Sequence, residues 1–184
     1  RLDRLVTDIS NASRLDAELS REDPRALDLA RLLGEVSQLY ADTRRPDETP
    51  VVFEAEDSLE APLIQGREGP ISQVFRNLID NARSFSPPGG QVHVALVRNR
   101  GQVVVTVEDQ GPGIPTDNLE TVFERFYTSR PKGAVFGGNS GLGLSIARQI
   151  VEAHGGTIRA ENLTDGAGQI LGARFRVSLP EARR

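Results

Sequence analysis

The spacing of hydrophobic residues changes along the chain, from a helical period at the N-terminus to a mixture of strands and helices further on. Over residues 1–22, apolar residues recur at alternating three- and four-residue steps, with arginine and aspartate between them. This pattern is typical of the seam of a coiled coil or helical bundle. One helix cannot bury such a stripe alone, so we expect a missing partner helix, a second copy of the chain, or both. The alternative is that the helix folds back on its own domain.

Two further amphipathic helices are predicted in the next part of the chain. Asp23-Pro24 has the form of an N-cap followed by a proline in the first turn, so a helix is expected from residue 25 to about residue 44. Its inner face would include Leu39 and Tyr40. A third helix is predicted over residues 73–83, where apolar residues again recur at three- and four-residue steps.

From residue 51 onward, the pattern is that of strands among helices. A last helix is predicted at residues 141–154, where apolar residues lie along one side. Strands are expected at residues 51–55, 63–64, 92–97, 103–107, 157–161 and 172–179. Because strands and helices do not alternate regularly, we expect an α+β fold, a two-layer α/β sandwich with helices on one face of a single sheet.

Composition narrows the functional classes. The chain has 184 residues and a formal net charge of −4, which argues against a nucleic-acid partner because no basic stripe is available to neutralise phosphates. It contains no cysteine, which excludes thiol chemistry, disulfides and cysteine-based zinc sites. No apolar run approaches the roughly 18–20 residues of a membrane span, so we expect a soluble chain. It begins within the seam helix and without methionine, and we interpret it as a fragment.

Asn77 and Asn81 lie one turn apart on the same edge of the third predicted helix. Their amide oxygens are neutral ligands that suit Mg²⁺ when the phosphates of a nucleotide supply the negative charge. Taken alone, two asparagines on a solvated helix face would equally have no function.

A second candidate stretch, Asp109-Gln110-Gly111-Pro112-Gly113, directly follows a predicted strand. The glycines allow the backbone to pass close to a flat ligand, and the carboxylate of Asp109 can accept a hydrogen bond from an exocyclic amine such as N6 of adenine. The same pattern is common in turns that bind nothing.

A third candidate stretch, residues 137–144, combines glycines with the start of a helix and therefore suits a phosphate group. A tight turn would have a similar sequence. The long segment before it, residues 115–136, is predicted to be a mobile flap. Arg125, Arg130 and Lys132 of this segment could reach a triphosphate, although a solvated loop would also carry such residues.

The order and spacing of these stretches resemble the N, G1, F and G2 boxes of bacterial sensor histidine kinases. The matching segments are Asn-x-x-x-Asn-Ala, Asp-x-Gly-x-Gly, Phe-Glu-Arg-Phe-Tyr, Gly-x-Ser-Gly-Leu-Gly-Leu and the later Glu-Ala-His-Gly-Gly. The resemblance implies that residues 25–182 form a catalytic and ATP-binding domain of the Bergerat fold, with ATP between the asparagine helix and the flap. Residues 1–22 resemble the second helix of the dimerisation and phosphoacceptor hairpin of these kinases.

The resemblance also implies roles for individual residues. Asn81 would be the principal Mg²⁺ ligand, and Asn77 would be a weaker ligand near the phosphates. Asn77 and Arg125 would be the catalytic residues, and Asp109 would read the adenine amine. The other residues that would bind ATP are Arg83, Gly111, Gly113, Phe126, Arg130, Ser140, Gly141, Leu142 and Gly143.

Two features depart from the family pattern. The family usually has a basic residue three places after the second asparagine, where this chain has Ser84, with Arg83 one place earlier. The phosphoacceptor motif, a histidine followed by an acidic residue and then a proline, does not occur in the sequence. Of the two histidines, His93 is predicted in a strand and His154 at the end of a helix, where an imidazole suits the helix dipole.

The resemblance implies transfer of the γ-phosphoryl group of Mg·ATP to a histidine of the hairpin, for relay to an aspartate of a response regulator. Related ATPases of this fold have a glutamate at the position of Asn77, where it activates water. An amide cannot accept that proton, so we expect little hydrolysis. Two alternatives are a nucleotide-binding regulatory module without catalysis and a serine kinase of the anti-sigma type.

The partners and location follow from the same resemblance. It implies a homodimer formed through the hairpin and a response regulator receiver domain as the partner. It also implies that the domain is the cytoplasmic portion of an inner-membrane sensor, whose membrane segments lie outside this chain.

Overall fold

The computed structural model describes residues 19, 21–57, 60–125, 127 and 142–183, and the structural statements below concern these residues. The predicted seam helix of residues 1–22 lies almost wholly outside them. Among the candidate site residues, Phe126, Arg130, Lys132, Ser140 and Gly141 also lie outside the described residues.

A five-stranded sheet forms one layer of the fold, and the helices of the described residues form the other. In chain order the elements are β1 (Arg25–Asp28), α1 (Leu29–Thr43), β2 (Val51–Ala55), β3 (Leu63–Gly66), α2 (Glu68–Phe85), β4 (Val92–Asn99), β5 (Gln102–Glu108), α3 (Gly143–Ala153), β6 (Thr157–Thr164) and β7 (Ile170–Pro180). The sheet order is β2-β4-β5-β7-β6, with β2 parallel to β4 and every other neighbouring pair antiparallel. The predicted α+β two-layer sandwich is confirmed.

Buried and more exposed residues alternate along the strands, and the buried set marks the face of the sheet that meets the helices. In β4, Val92, Val94 and Leu96 are buried, whereas the residues between them are not. α2 covers this face with side chains that have no exposed surface, namely Ile71, Val74, Phe75, Leu78, Ile79 and Ala82. This apolar stripe places α2 over β4 and β5, with α1 and α3 as its neighbours. No helix in the described ranges is long and apolar enough to cross a membrane.

The helix predicted from residue 25 begins later than expected. Residues Arg25–Asp28 instead form β1, which pairs antiparallel with β3 in a separate two-stranded sheet. α1 begins at Leu29, and the side chain of Asp28 caps it by accepting hydrogen bonds from the backbone N–H groups of Ala30 and Arg31. Leu39 is 54% exposed, so its placement on the inner face was also wrong.

The first part of the predicted flap is anchored to the core. Residues 116–118 and 121–123 form short 3₁₀ turns, and Val122 and Phe123 are buried. The Phe123 ring meets the Phe175 ring edge to face, with 5.9 Å between centroids, and the guanidinium of Arg148 lies 5.6 Å from the centre of the Phe123 ring. The prediction of a mobile flap is therefore wrong where these side chains hold the segment; most of the rest, from residue 128 onward, lies outside the described residues.

Candidate nucleotide-binding site

The middle of α2 carries the two asparagines that the sequence singled out. Asn81 is 7% exposed, and Asn77 is half-buried. The side-chain nitrogen Nδ2 of Asn77 donates a hydrogen bond to the backbone carbonyl of Gly143, 3.0 Å away, at the N-terminus of α3. The asparagine helix and the end of the glycine-rich stretch are therefore brought together, as the sequence predicts.

A chain of polar contacts fixes the orientation of the Asn77 amide. The guanidinium of Arg76 donates to Oε1 of Gln73 at 3.2 Å, and Nε2 of Gln73 donates to Oδ1 of Asn77 at 2.6 Å. A guanidinium can only donate and the Gly143 carbonyl can only accept, so the two carboxamides between them have a single satisfactory orientation. Oδ1 of Asn77 retains a second lone pair for a ligand.

Asp109 lies directly after β5 and is 3% exposed. Its Oδ1 accepts hydrogen bonds from the backbone N–H groups of Gly111 at 2.9 Å and Ala173 at 3.2 Å. Burial raises the pKa of this carboxyl, and the two backbone donors oppose the rise in part. Oδ2 accepts no hydrogen bond from any residue that the structure describes.

The turn after Asp109 touches the end of α2. A Cβ atom on Gly111 would lie 2.5 Å from the backbone oxygen of Phe85, the last residue of the helix. Gly113 has a φ of +80°, which favours glycine. The acidic residue and its glycines thus approach the same helix that carries Asn77 and Asn81.

Strand β7 fits closely against Asp109. The Asp109 N–H donates to the Ala173 carbonyl at 3.0 Å, and a Cβ on Gly172 would overlap the backbone oxygen of Asp109. Only glycine allows the two backbones to approach so closely. This contact holds the acidic side chain in place from the sheet side.

Arg83 does not join the asparagines, which corrects its assignment to the phosphates. Its Nε donates to the Thr49 carbonyl at 3.0 Å, one guanidinium nitrogen bonds Glu48 Oε2 at 3.0 Å, and the group lies 5.2 Å from the centre of the Tyr40 ring. The physical reason is helical geometry, since two residues after Asn81 a side chain points to the opposite flank. That flank faces α1.

Ser84, at the position where the family usually has a basic residue, hydrogen-bonds to its own helix. Its hydroxyl donates to the Asn81 carbonyl at 2.6 Å, within α2 itself. Of the other candidates, Arg125 is exposed, Leu142 is buried, and Gly143 begins α3. Their nucleotide roles stay predictions.

Three residues that shape this region were missed from the sequence: Gln73, Asn162 and Gly172. Gln73 orients Asn77, Asn162 bonds the backbone of Ile114, and Gly172 admits Asp109. A signal existed for Gly172, because an isolated glycine in a strand indicates close backbone approach. A signal also existed for Gln73, because it lies four residues before Asn77 on the same helix face. The role of Asn162 depends on a contact between distant segments that no local pattern indicates.

Both histidines are engaged in structural contacts. His93 lies in β4, and its Nε2 is 3.2 Å from Glu54 Oε2. Nε2 of His154 accepts from the Arg67 N–H at 3.1 Å, so its Nδ1 carries the hydrogen and donates to the Ile150 carbonyl at 2.8 Å. Burial is the main reason that the pKa of His154 lies below its usual value. The imidazole is thus neutral and links Arg67 to the last turn of α3, and its position at the end of this helix is as the sequence predicts.

Residues 66–183 match the family model described as histidine kinase-, DNA gyrase B-, and HSP90-like ATPase. The sensor protein ChvG of Rhizobium meliloti (strain 1021) is 52% identical over 185 residues, which cover 98% of this chain and 32% of ChvG. The chain spans about a third of the length of the curated relatives that it matches along nearly its whole length.

Solved structures have the same architecture. The mycobacterial sensor histidine kinase MprB is 33% identical with a TM-score of 0.69, and the match covers 88% of this chain and 99% of the MprB chain. The histidine kinase ThkA, in complex with response regulator protein TrrA, is 28% identical with a TM-score of 0.74, covering 98% of this chain and 48% of that one. The chain therefore belongs to the histidine kinase-, DNA gyrase B- and HSP90-like ATPase family, and within it to the ATP-binding domains of sensor histidine kinases.

Proposed function

We propose that this chain binds Mg·ATP and transfers its γ-phosphoryl group to a histidine of a dimerisation hairpin, as the catalytic part of a two-component sensor kinase. The observation that carries this proposal is the convergence of three stretches on α2. Asn77 in its middle bonds Gly143, and Phe85 at its end meets the turn formed by Asp109 and Gly111. Residues far apart in sequence thus border one region.

At the base end, Asp109 is the group that selects adenine. Its Oδ1 is already occupied by two backbone donors, and Oδ2 would accept a hydrogen bond from the N6 amine of the base. A carboxylate oxygen that receives no donor from the described residues can accept a hydrogen bond from a ligand amine. Gly111 and Gly113 shape the turn beside it. Phe126 lies outside the described residues, and its part in ATP binding stays a prediction.

The donor set suits a magnesium ion that binds together with a nucleotide. The described residues contain no group of three or more acidic, histidine or cysteine side chains that could hold a metal alone. Asn81 would be the principal ligand, with Asn77 as the weaker one, and the ion would neutralise charge on the phosphates.

The chain's own residues position the phosphates and do not activate a nucleophile. The Asn77 amide cannot take a proton from water, so hydrolysis is slow. A nitrogen of the acceptor imidazole forms the N–P bond while the β,γ-bridging P–O bond breaks, and ADP leaves with the electron pair. Arg125 and Arg130 would face the transferring group, and the phosphate turn would consist of Ser140, Gly141, Leu142 and Gly143.

The acceptor histidine would come from a dimerisation hairpin, and the response regulator would be a separate partner. His93 pairs with Glu54 and His154 is bonded at both ring nitrogens, so neither suits the role of acceptor. The complex of ThkA with a response regulator supports a receiver domain as partner. We further propose a homodimer through the hairpin and a cytoplasmic location, where ATP is available.

A second candidate function is a nucleotide-binding regulatory module without catalysis. The observation that favours it is that the family's usual basic position holds Ser84, which bonds its own helix, while the adjacent Arg83 is bonded to Glu48. Such a module would bind ATP and leave the γ-phosphoryl group in place.

Phosphotransfer to a separately produced acceptor hairpin distinguishes these functions. The chain is mixed with the hairpin of a close relative and γ-labelled ATP, and the label on the hairpin is tested for acid lability. Acid-labile, base-stable label on the hairpin is expected. Nucleotide binding without label on the hairpin would favour the regulatory module, and acid-stable label on a serine would contradict both.

Variants of two asparagines link the transfer to the site. Asn81→Ala is expected to abolish Mg²⁺-dependent nucleotide binding and with it the transfer. Asn99→Ala, at the exposed end of β4, is the matched control and should retain both. Affinity that is unchanged by Mg²⁺ in Asn81→Ala and in the parent alike would count against the metal assignment.

A further inference from the structure

Asn162 in β6 makes a two-point contact with a single residue of the turn that follows Asp109. Its Oδ1 accepts a hydrogen bond from the Ile114 N–H at 2.7 Å, and its Nδ2 donates to the Ile114 carbonyl at 2.7 Å. The carboxamide therefore pairs with the backbone as a neighbouring strand would. Asn162 belongs to none of the sequence stretches that indicate nucleotide binding.

The contact closes the turn at the end opposite Asp109. At the first end, the backbone of Asp109 bonds Ala173 of β7. At the second end, Ile114 is held by Asn162, and a Cβ on the intervening Gly113 would lie 2.8 Å from Asn162 Oδ1. The turn from residue 110 to 113 is thus hydrogen-bonded at its two ends to two adjacent strands, β7 and β6.

We propose that Asn162 is a positioning residue for the nucleotide base. This proposal rests on the proposed function. By fixing Ile114, it sets the path of the turn and so the location of the surface that meets the base beside Asp109. It touches the base only through this turn. Its influence is therefore on base affinity and selectivity, and it leaves the phosphate end of the site unchanged.

Only a carboxamide of this length satisfies both bonds. An aspartate would keep the acceptor for the Ile114 N–H but would place a carboxylate oxygen against the Ile114 carbonyl. A leucine has a similar shape and makes neither bond. The series Asn162→Asp and Asn162→Leu therefore removes one and then both contacts with little change in volume.

The test compares binding of ATP with binding of inorganic tripolyphosphate, which lacks the base, in the parent and in both variants. We expect Asn162→Leu to weaken ATP binding about tenfold, the order of loss for two neutral hydrogen bonds, and Asn162→Asp to weaken it less. Tripolyphosphate affinity should be unchanged. In phosphotransfer, KM for ATP should rise while the rate at saturating ATP stays within about twofold of the parent.

Circular dichroism and thermal denaturation establish that each variant is folded. If Asn162→Leu does not fold, the binding comparison is made with Asn162→Asp alone. Equal loss of ATP and tripolyphosphate affinity would overturn the proposal, because it would indicate general destabilisation. Unchanged ATP affinity in both variants would also overturn it. Failure of the parent chain itself to bind ATP would instead refute the proposed function, so the two failures are distinguishable.

Discussion

At the scale of single residues, the charged side chain of Asp109 lowers the stability of the fold and is proposed to bind the nucleotide base. Its carboxyl is buried, and burial raises its pKa above the ordinary value of 3.8. In the unfolded chain the group loses its proton at a lower pH than in the folded chain. This group's contribution to stability is therefore greatest below pH 3.8, falls as pH rises through the folded pKa, and remains unfavourable at neutral pH. A residue that destabilises the fold in this way is expected where function requires it.

The variant Asp109→Asn should separate these two effects. The amide can still accept from Gly111 and Ala173, so the fold is kept, and the unfolding free energy at pH 7 should be no lower than in the parent. ATP binding should weaken by about 1.5–3 kcal/mol, because a charge-assisted hydrogen bond is lost, which is roughly a 10- to 100-fold rise in Kd. The preference for ATP over GTP should also fall.

Calorimetry with ATP and GTP, together with urea denaturation, checks both parts. Asp117→Asn, the same chemical change in an exposed turn, is the control and should alter neither quantity. An Asp109→Asn chain that binds both nucleotides as the parent does would show that Asp109 is only structural.

At the scale of secondary structure elements, α2 has two functional flanks. One flank carries Asn77 and faces α3, whereas the other carries Arg83 and faces α1. Asp80 adds to the second flank by accepting a hydrogen bond from the Tyr40 hydroxyl at 2.6 Å. The first flank serves the nucleotide site, and the second fastens the helix to α1 and to the loop before β2.

Arg83→Ala should therefore reduce stability without affecting nucleotide binding. The variant loses an ion pair with Glu48, a hydrogen bond to Thr49 and the contact with the Tyr40 ring. We expect a fall in melting temperature of about 3–6 °C and an ATP affinity within twofold of the parent. Arg45→Ala is the matched control, because its side chain is 80% exposed and lies 3.9 Å from the same Glu48. Weaker ATP binding in Arg83→Ala at unchanged stability would restore Arg83 to the phosphates.

The whole molecule shows which kinds of feature a sequence can predict. Elements with a strong apolar period or a valine-rich run, such as α2 and β5, were predicted within a few residues. β1 was missed because its residues Arg-Ala-Leu-Asp have no strand pattern, and only pairing with β3 makes them a strand. In the site, Asp109 and the asparagines lie in recognisable local motifs. Asn162 does not, since its role arises from a partner 48 residues away in the chain.

Glu22, just before β1, is bonded to the start of α2, which in turn is bonded to the end of α3. Oε1 of Glu22 accepts from the Glu68 N–H at 3.0 Å and so caps α2, and Nε of Arg67 donates to the Glu22 carbonyl at 2.6 Å. His154 at the end of α3 accepts from the Arg67 N–H. The segment that leads from residues 1–22 into the domain is thus bonded to the helix that carries the asparagines. We call Glu22, Arg67 and His154 the linker cluster.

Protonation of His154 should loosen the linker cluster. Its pKa is lowered from 6.5, chiefly by burial and also by the nearby charge of Arg67, while the Ile150 carbonyl and Glu22 act in the opposite direction. As pH falls below about 6.5, the unfolded chain takes up this proton before the folded chain does. The stability contributed by the neutral imidazole is therefore fully present above pH 6.5 and is lost as pH falls toward the lower folded pKa.

Urea denaturation at a series of pH values from 8 to 5 measures this loss. The parent should lose stability below pH 6.5, and His154→Asn, which keeps a donor near the Ile150 carbonyl but cannot become charged, should be less stable at pH 8 yet vary less with pH. An equally steep fall in His154→Asn would place the responsible proton on another group, because the substituted side chain has none to gain in this range.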